Sequence, residues 1–278
     1  MSMAIPKRPH STDSESQALL NPKITQWQGL RVWVVGASSG IGAALAVELA
    51  SRGAILALSA RRVEKLEALL ASLGSDVTQH LCLPLDVTVS ETLQAAISTL
   101  VRAWKKIDLV IWLAGDYSPM SSETFDLARA LSITEVNYLG LLKGMSSLLP
   151  QLLQQGSGGL VLVSSVAGFR GLPKALVYGP SKAAIINLAE VLYLDLHERG
   201  IGVWLINPGF VATPLTADNP FRMPALMQPQ DAAYALVEGL ASGRFELHFP
   251  KRFTRWLKLA RVLPYGMYFR LIKRITGQ

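Results

Sequence analysis

Apolar runs of strand length alternate with longer amphipathic stretches along almost the whole chain. Residues 30–35 read as a buried strand, and the glycine-rich turn behind them opens a helix running to about Arg52. Residues 54–59 form a second expected strand, followed by a helix through 63–70. The same alternation returns at 81–85, 108–113, 159–164, 202–206 and 245–249. These strand runs are continuously apolar rather than alternating, so both faces of their sheet must be covered, as in a parallel α/β sheet. Repeated strand–helix–strand units predict one α/β domain over 29–250: a doubly wound parallel sheet with helices on both faces. No sequence repeat and no linker divides that span.

Composition supports a large two-sided core, because half of the 278 residues are hydrophobic and only 17% are charged. Wholesale disorder is excluded on the same ground. One cysteine, Cys82, rules out an intrachain disulfide framework and a cysteine metal cage. It lies in an apolar run and reads as a small buried hydrophobe. His10, His80, His197 and His248 show no metal-ligand spacing and read as structural or surface residues, so no metal is expected.

The net charge of +7 is local. Residues 251–278 hold eight Lys or Arg and no acid, which leaves nineteen basic against twenty acidic residues elsewhere. A nucleic-acid binder would spread a basic stripe over its folded body, so no nucleic-acid partner is expected. In that tail Phe253, Trp256, Leu257 and Ala260 recur at helical spacing on one side, with Lys251, Arg255 and Lys258 on another. Beyond Pro264 follow Tyr265, Met267, Tyr268 and Phe269, then Leu271 and Ile272 among Arg270, Lys273 and Arg274. A basic amphipathic helix of this kind suits an anionic membrane surface. The same apolar side could equally pack on the domain or on a second subunit, which leaves a homo-oligomer open. At the other end, Lys7 and Arg8 precede a polar stretch where a secretory signal would need an apolar core. Residues 1–28 are therefore expected to be a flexible extension, and the protein to be cytoplasmic, with the inner membrane face as the place where the tail would act.

Candidate chemistry sits where the expected strands end. Between the first strand and its helix the chain reads Val35-Gly36-Ala37-Ser38-Ser39-Gly40-Ile41-Gly42. Glycines there let the backbone turn tightly and approach a pyrophosphate, which the free amides and positive end of the helix would hold. Ser38, Ser39 and Ile41 complete the cradle. After the second strand, Ser59-Ala60-Arg61-Arg62 offers no carboxylate for a ribose 2′-hydroxyl, whereas Arg61 could pair with a 2′-phosphate. NADP(H) is therefore expected over NAD(H). Tyr178 and Lys182 stand four residues apart, on one face of a helix. A lysine cation beside a phenol stabilises the phenolate and moves it toward the working range of an acid/base group. Ser164 and Ser165 end a strand ahead of them, and the thirteen-residue spacing to Tyr178 favours Ser165.

Taken together these positions resemble the short-chain dehydrogenase/reductase family over about 30–249. The glycine turn, Asp86-Val87, Asn137, Ser165, Tyr178, Lys182 and the run Asn207-Pro208-Gly209-Phe210-Val211-Ala212-Thr213 fall in the family's order. The resemblance implies a Rossmann-type fold and hydride transfer between a nicotinamide and a carbonyl or alcohol. Tyr178 would pass the proton, and Lys182 would bind the nicotinamide ribose and lower the Tyr178 pKa. Ser165 would hold the substrate oxygen, and Asn137 would help hold a proton-relaying water. Asp86 would meet the adenine edge, with Val87 giving a backbone contact. Pro208, Gly209, Val211 and Thr213 would lie toward the nicotinamide.

Two positions depart from the family pattern. Val35 stands where a Thr is usual, and Trp112-Leu113-Ala114-Gly115 replaces Asn-Asn-Ala-Gly. Ala114 and Gly115, which let the cofactor approach, are kept, and no proton-transfer group is lost. After Thr213 a lid-like stretch carries Leu215, Phe221, Met223, Leu226 and Met227, which either suit an apolar, lipid-like substrate or pack the lid on the body. Trp104 and Met145 read as core. The alternative to an enzyme is a cofactor-binding sensor or scaffold, which would have no need of all four of Asn137, Ser165, Tyr178 and Lys182.

Overall fold

A computed structural model of the chain describes residues 20–74, 79–217, 219 and 223–276. The expected strands become β1 (Arg31–Val35), β2 (Ile55–Ser59), β3 (Leu81–Cys82), β4 (Leu109–Trp112), β5 (Gly158–Val163), β6 (Ile201–Pro208) and β7 (Glu246–Phe249). All pair in parallel, in the order β3-β2-β1-β4-β5-β6-β7. The helices are α1 (Gly40–Ser51), α2 (Val63–Ser72), α3 (Ser90–Trp104), α4 (Leu127–Thr134), α5 (Gly140–Gln155), α6 (Tyr178–Leu196), α7 (Pro229–Leu240), α8 (Lys251–Arg261) and α9 (Tyr265–Thr276).

Period-two side-chain direction divides each strand between two cores. Trp33, Ala57, Val110, Leu160 and Val203 face a core closed by α3, α5 and α6. Val34, Leu56, Ile111, Val161 and Ile206 face the opposite core, closed by α1, α2 and α7. Continuous apolar runs are thus required in the central strands β1, β2, β4, β5 and β6, where nearly every position is buried on one side or the other, whereas β7 alternates half-buried Glu246 and His248 with buried Leu247 and Phe249. Each fully buried Leu, Ile or Val contributes about 1.5–3 kcal/mol. Trp104 and Met145 lie in the first core, as their helical patterning predicts. Cys82 is only partly buried, packed against the second core.

Chain order reverses between β1 and β4, which opens a crevice at the carboxyl ends of these strands. Trp112, where the family has an asparagine, fills space that α5 gives up. A Cβ on Gly144 would lie 2.3 Å from the Trp112 ring. Trp33 stands edge-on to the same ring, with centroids 6.4 Å apart.

Two expectations change. The third strand is two residues long rather than five, although the amides of Leu83 and Leu85 still donate to Leu58 and Ala60 carbonyls at 2.9 and 3.1 Å. Residues 20–28 are not a loose extension. The Asn21 side chain donates to the Val203 carbonyl at 2.7 Å and accepts from its amide at 2.9 Å, while Trp27 is buried in the second core. The reason is physical: a buried Asn that satisfies both groups of a strand residue, together with a buried indole, pins the segment. Residues 1–19 of that expected extension, His10 among them, lie outside the described residues. Of the alternatives left open for the tail, packing on the domain is found for part of its apolar side: Phe253 and Leu257 lie against the first core, and Ala260 forms a small cluster with Tyr268 and Ile272.

The remaining histidines have structural partners. His80 Nδ1 accepts from the Leu56 amide, His197 stacks on Tyr193, and His248 Nδ1 bonds the Thr254 hydroxyl at 2.6 Å.

Candidate active site

The strand ends and the loops behind them enclose a cavity of about 670 Å³. Its floor is the glycine turn. The Gly36 backbone runs at φ +98°, and a Cβ there would lie 2.7 Å from the Ala114 amide nitrogen. A Cβ on Gly42 would lie 2.2 Å from the Gly36 carbonyl oxygen. Both positions therefore need glycine, and together they leave bare backbone facing the crevice where α1 begins. Ser38, Ser39, Gly40 and Ile41 line the same wall, and Thr213 leans over it, since a Cβ on Gly40 would meet its methyl at 2.8 Å.

At the end of β2, Arg61 and Arg62 both reach the cavity, and both are exposed. Arg62 was not singled out in the sequence, yet its guanidinium donates to Ser38 Oγ at 2.8 Å and Ser39 Oγ at 3.0 Å. Its adjacency to Arg61 was the available signal. Arg61 makes no ion pair among the described residues, and its charge is felt at Asp116. Asp86 and Val87 line the wall beyond β3, where Asp86 Oδ1 accepts from the Thr88 amide and hydroxyl at 2.9 and 2.8 Å. Ala114 and Gly115 follow β4, while Pro208, Gly209 and Val211 follow β6.

The reactive end is built by β5 and α6. Ser165 extends from the strand end and its Oγ accepts from the Ala167 amide at 3.1 Å. Ser164 points the other way, buried, and donates to the Lys182 carbonyl at 2.7 Å, which ties the strand to the helix. Tyr178 opens α6, and Pro180 in that first turn costs no helix hydrogen bond. One turn on, the Lys182 side chain is buried and its Nζ donates to the Val163 carbonyl at 3.1 Å.

Asn137 is buried behind the cavity rather than in its lining. It sits in a π-helical turn, Glu135–Leu139, that interrupts the path from α4 into α5. Such widened turns recur at functional sites. Its Oδ1 accepts from the Asp116 amide at 2.6 Å, and its Nδ2 donates to the Asp116 carbonyl at 3.0 Å and Ser181 Oγ at 2.9 Å. A Cβ on Gly115 would stand 3.4 Å from both Asn137 Oδ1 and Lys182 Nζ, so these groups share a neighbourhood.

Electrostatics differ from the sequence expectation at one point. Burial pushes the Tyr178 phenol up to about 12, against a lowering hydrogen bond with Ser165. Burial pushes Lys182 down to about 8. The expected depression of Tyr178 by Lys182 is not the dominant effect, because Nζ is held on the Val163 carbonyl, 5.7 Å from the Tyr178 ring centre.

Several groups at the site carry no signal in the sequence. Arg129, from α4, forms an ion pair with Asp116 and donates to the Tyr117 carbonyl at 3.0 Å. Burial raises the Asp116 carboxyl, but the Arg129 hydrogen bond and charge more than offset this and hold it below its usual range. Tyr117 donates to Asn219 Oδ1 at 2.8 Å, which ties the wall to the lid. Of the lid residues expected to serve an apolar substrate, Leu215 lines the cavity. Met227 instead packs on the second core and bridges to Val211, Met223 accepts a hydrogen bond from Asn219, and Leu226 is exposed outside the cavity. Phe221 lies outside the described residues.

Comparison with known proteins agrees with this fold. The family model for short chain dehydrogenases matches residues 31–222. An uncharacterized oxidoreductase of Myxococcus xanthus is 35% identical over 242 residues, covering 87% of this chain and 96% of the relative. An uncharacterized oxidoreductase of Staphylococcus epidermidis is 32% identical, over 74% and 89% of the two chains. Among solved structures, a short chain dehydrogenase from Burkholderia cenocepacia in complex with NADP superposes with a TM-score of 0.77 at 24% identity, over 89% of this chain and 99% of that one. A short chain dehydrogenase/reductase from Burkholderia phymatum in complex with NAD gives the same score and identity, over 85% and 94%.

Proposed function

The chain belongs to the short-chain dehydrogenase/reductase family of oxidoreductases that act with NAD(P), and from that premise we propose that it reduces the carbonyl of an apolar, lipid-like substrate with NADPH, using Tyr178 as proton donor. The observation that carries the reading is the meeting of Tyr178, Ser165 and Lys182 in one cavity with a glycine cradle. The cradle fits a dinucleotide, because Gly36, Gly40 and Gly42 line the cavity at the start of α1, where the glycines let the turn pack tightly and the first helical amides are open to a phosphate. When bound, the nicotinamide supplies the hydride.

The remaining work falls on the chain's own groups. Ser165, fixed by the Ala167 amide, holds the substrate oxygen. Tyr178, with its phenol pushed up to about 12, is protonated at neutral pH and so is in the form that gives a proton to that oxygen. Lys182 binds the ribose hydroxyls, and with Asn137 it lies on the path that returns the proton to Tyr178. Arg61 and Arg62, with no acid at the end of β2, favour a 2′-phosphate and hence NADPH. Leu215, with Pro119 and Pro214, gives the substrate side an apolar lining.

The test is Tyr178→Phe, assayed by NADPH absorbance against medium- and long-chain aldehydes and ketones. Turnover is expected to fall roughly 10²- to 10⁴-fold while NADPH binding is kept. Unchanged turnover in that variant overturns the proton-donor assignment.

A further inference from the structure

Helices α8 and α9 turn several large apolar side chains outward although others pack on the domain. Phe253, Leu257, Ala260, Tyr268 and Ile272 face inward. Trp256, Leu259, Val262, Met267, Phe269 and Ile275 are each more than half exposed, Trp256 at 68% and Val262 at 80%. On α8, Arg252, Arg255, Trp256, Leu259 and Val262 recur every three or four residues and so form one outward stripe. Eight Lys or Arg and no acid occupy residues 251–278. Lys258 pairs with Glu246, and none of the other seven is in an ion pair among the described residues.

Both helices are tied to the domain. The Arg170 guanidinium lies over the rings of Tyr265 and Tyr268, at 4.6 and 4.1 Å, and donates to the carbonyls of Ala260, Arg261 and Leu263. The Tyr268 hydroxyl donates to the Gly171 carbonyl at 2.6 Å. On the other side Phe253 packs against Phe210, 5.8 Å between ring centres. The two helices are thus fixed to the loop between Ser165 and Tyr178 and to the loop after β6, the second of which lines the cavity at Pro208, Gly209 and Val211.

We infer that the outward face of α8 and α9 binds the surface of an anionic lipid bilayer and lies in the interface without crossing it. Large apolar side chains interleaved with unpaired cations match the acyl boundary and the anionic headgroups respectively. Among the described residues no helix is long and apolar enough to span a membrane. A second copy is a poorer occupant, since a two-fold contact through this face sets cations against cations. Nucleic acid would pair the cations but leave the outward apolar side chains in water.

Tryptophan emission tests this directly, because Trp27, Trp33, Trp104, Trp112 and Trp204 are buried and Trp256 is the one exposed indole of the six. With vesicles of phosphatidylglycerol in phosphatidylcholine, emission is expected to shift to the blue and to be quenched by brominated lipid. Added salt should reverse much of the effect. Arg252→Gln with Arg255→Gln should weaken vesicle binding about 25-fold, at about fivefold (~1 kcal/mol) per basic residue. Trp256→Gln with Leu259→Gln should weaken co-sedimentation with the same vesicles, while NADPH binding stays unchanged in both variants. The inference is overturned by no shift with anionic vesicles or by an equal shift with phosphatidylcholine alone. A shift that comes instead from raising the protein concentration, or from duplex DNA, overturns it as well. The measurement needs no turnover, so it stands or fails separately from the hydride-transfer reading.

Discussion

The ring of Tyr117 stands edge-on against that of Tyr178, with centroids 4.9 Å apart and planes at 78°. The contact helps desolvate Tyr178, and it sits at one end of a tie from the wall to the lid through Asn219. Tyr117 also raises the Tyr178 phenol electrostatically, after the larger effect of burial.

The two halves of that contact separate by substitution. Tyr117→Phe keeps the ring pair and removes the tie to Asn219, so KM for the carbonyl substrate should rise while the Tyr178 titration stays in place. Tyr117→Ala removes both. The Tyr178 phenol should then fall from about 12 toward its ordinary value of ~10, read from phenolate absorbance against a Tyr178→Phe background. The lost aromatic pair should also cost about 0.5–1.5 kcal/mol of stability. An unmoved Tyr178 titration in Tyr117→Ala would show that the ring does not set its environment.

The proposed preference for NADPH rests on the two arginines after β2. Arg61→Ala should lower kcat/KM with NADPH by about 10- to 100-fold, corresponding to ~1.5–3 kcal/mol for a charge-assisted contact, and leave NADH use nearly level. Arg62→Ala should have a smaller effect of the same sign, since its guanidinium also bonds Ser38 and Ser39. If both variants keep the wild-type ratio of NADPH to NADH efficiency, the phosphate is held elsewhere.

Trp112 and Gly144 are expected to be one packing unit. Gly144→Ala puts a Cβ about where the Trp112 ring lies, at 2.3 Å, so it should lose about 1–3 kcal/mol in urea unfolding despite the higher helix propensity of Ala. In a Trp112→Leu background the added methyl should be tolerated, giving a clear coupling in the double-mutant cycle. Additive losses would mean that the ring and the glycine are independent.

Legibility followed sequence distance. Tyr178, Lys182, Ser165 and the glycine turn could be read because each acts through local spacing on one strand end or helix. Strand identity could be read because a sheet covered on both faces leaves no polar register. The Asp116–Arg129 pair, the Tyr117–Asn219 tie and the Arg170 clamp join residues from different elements, the last two about ninety or more positions apart. No periodicity encodes them. Asn21 and Trp27 were missed for a related reason: they are pinned by β6 and the second core while the segment itself has no regular pattern. Four-residue spacing places Lys182 on the same face as Tyr178 but does not reveal the burial that raises the phenol or the Val163 carbonyl that holds the ammonium.

That ammonium makes a final prediction about pH. Burial holds Lys182 at about 8 in the folded protein, against ~10.4 in an unfolded chain. Between these values the unfolded state binds more protons, so stability should rise as pH increases through this window and be lost as pH falls through about 8. Tyr178 has the opposite sign. Its phenol is pushed up to about 12, so the folded state binds more protons above ~10 and stability should decline as pH rises from there. Urea unfolding of wild type and Lys182→Met across pH 7–10 isolates the lysine, since Met fills much of the same volume and cannot titrate. The wild type should gain on the variant by on the order of 3 kcal/mol as pH rises from 7 to 10. A constant difference between the two would mean that the ammonium is not desolvated in the fold.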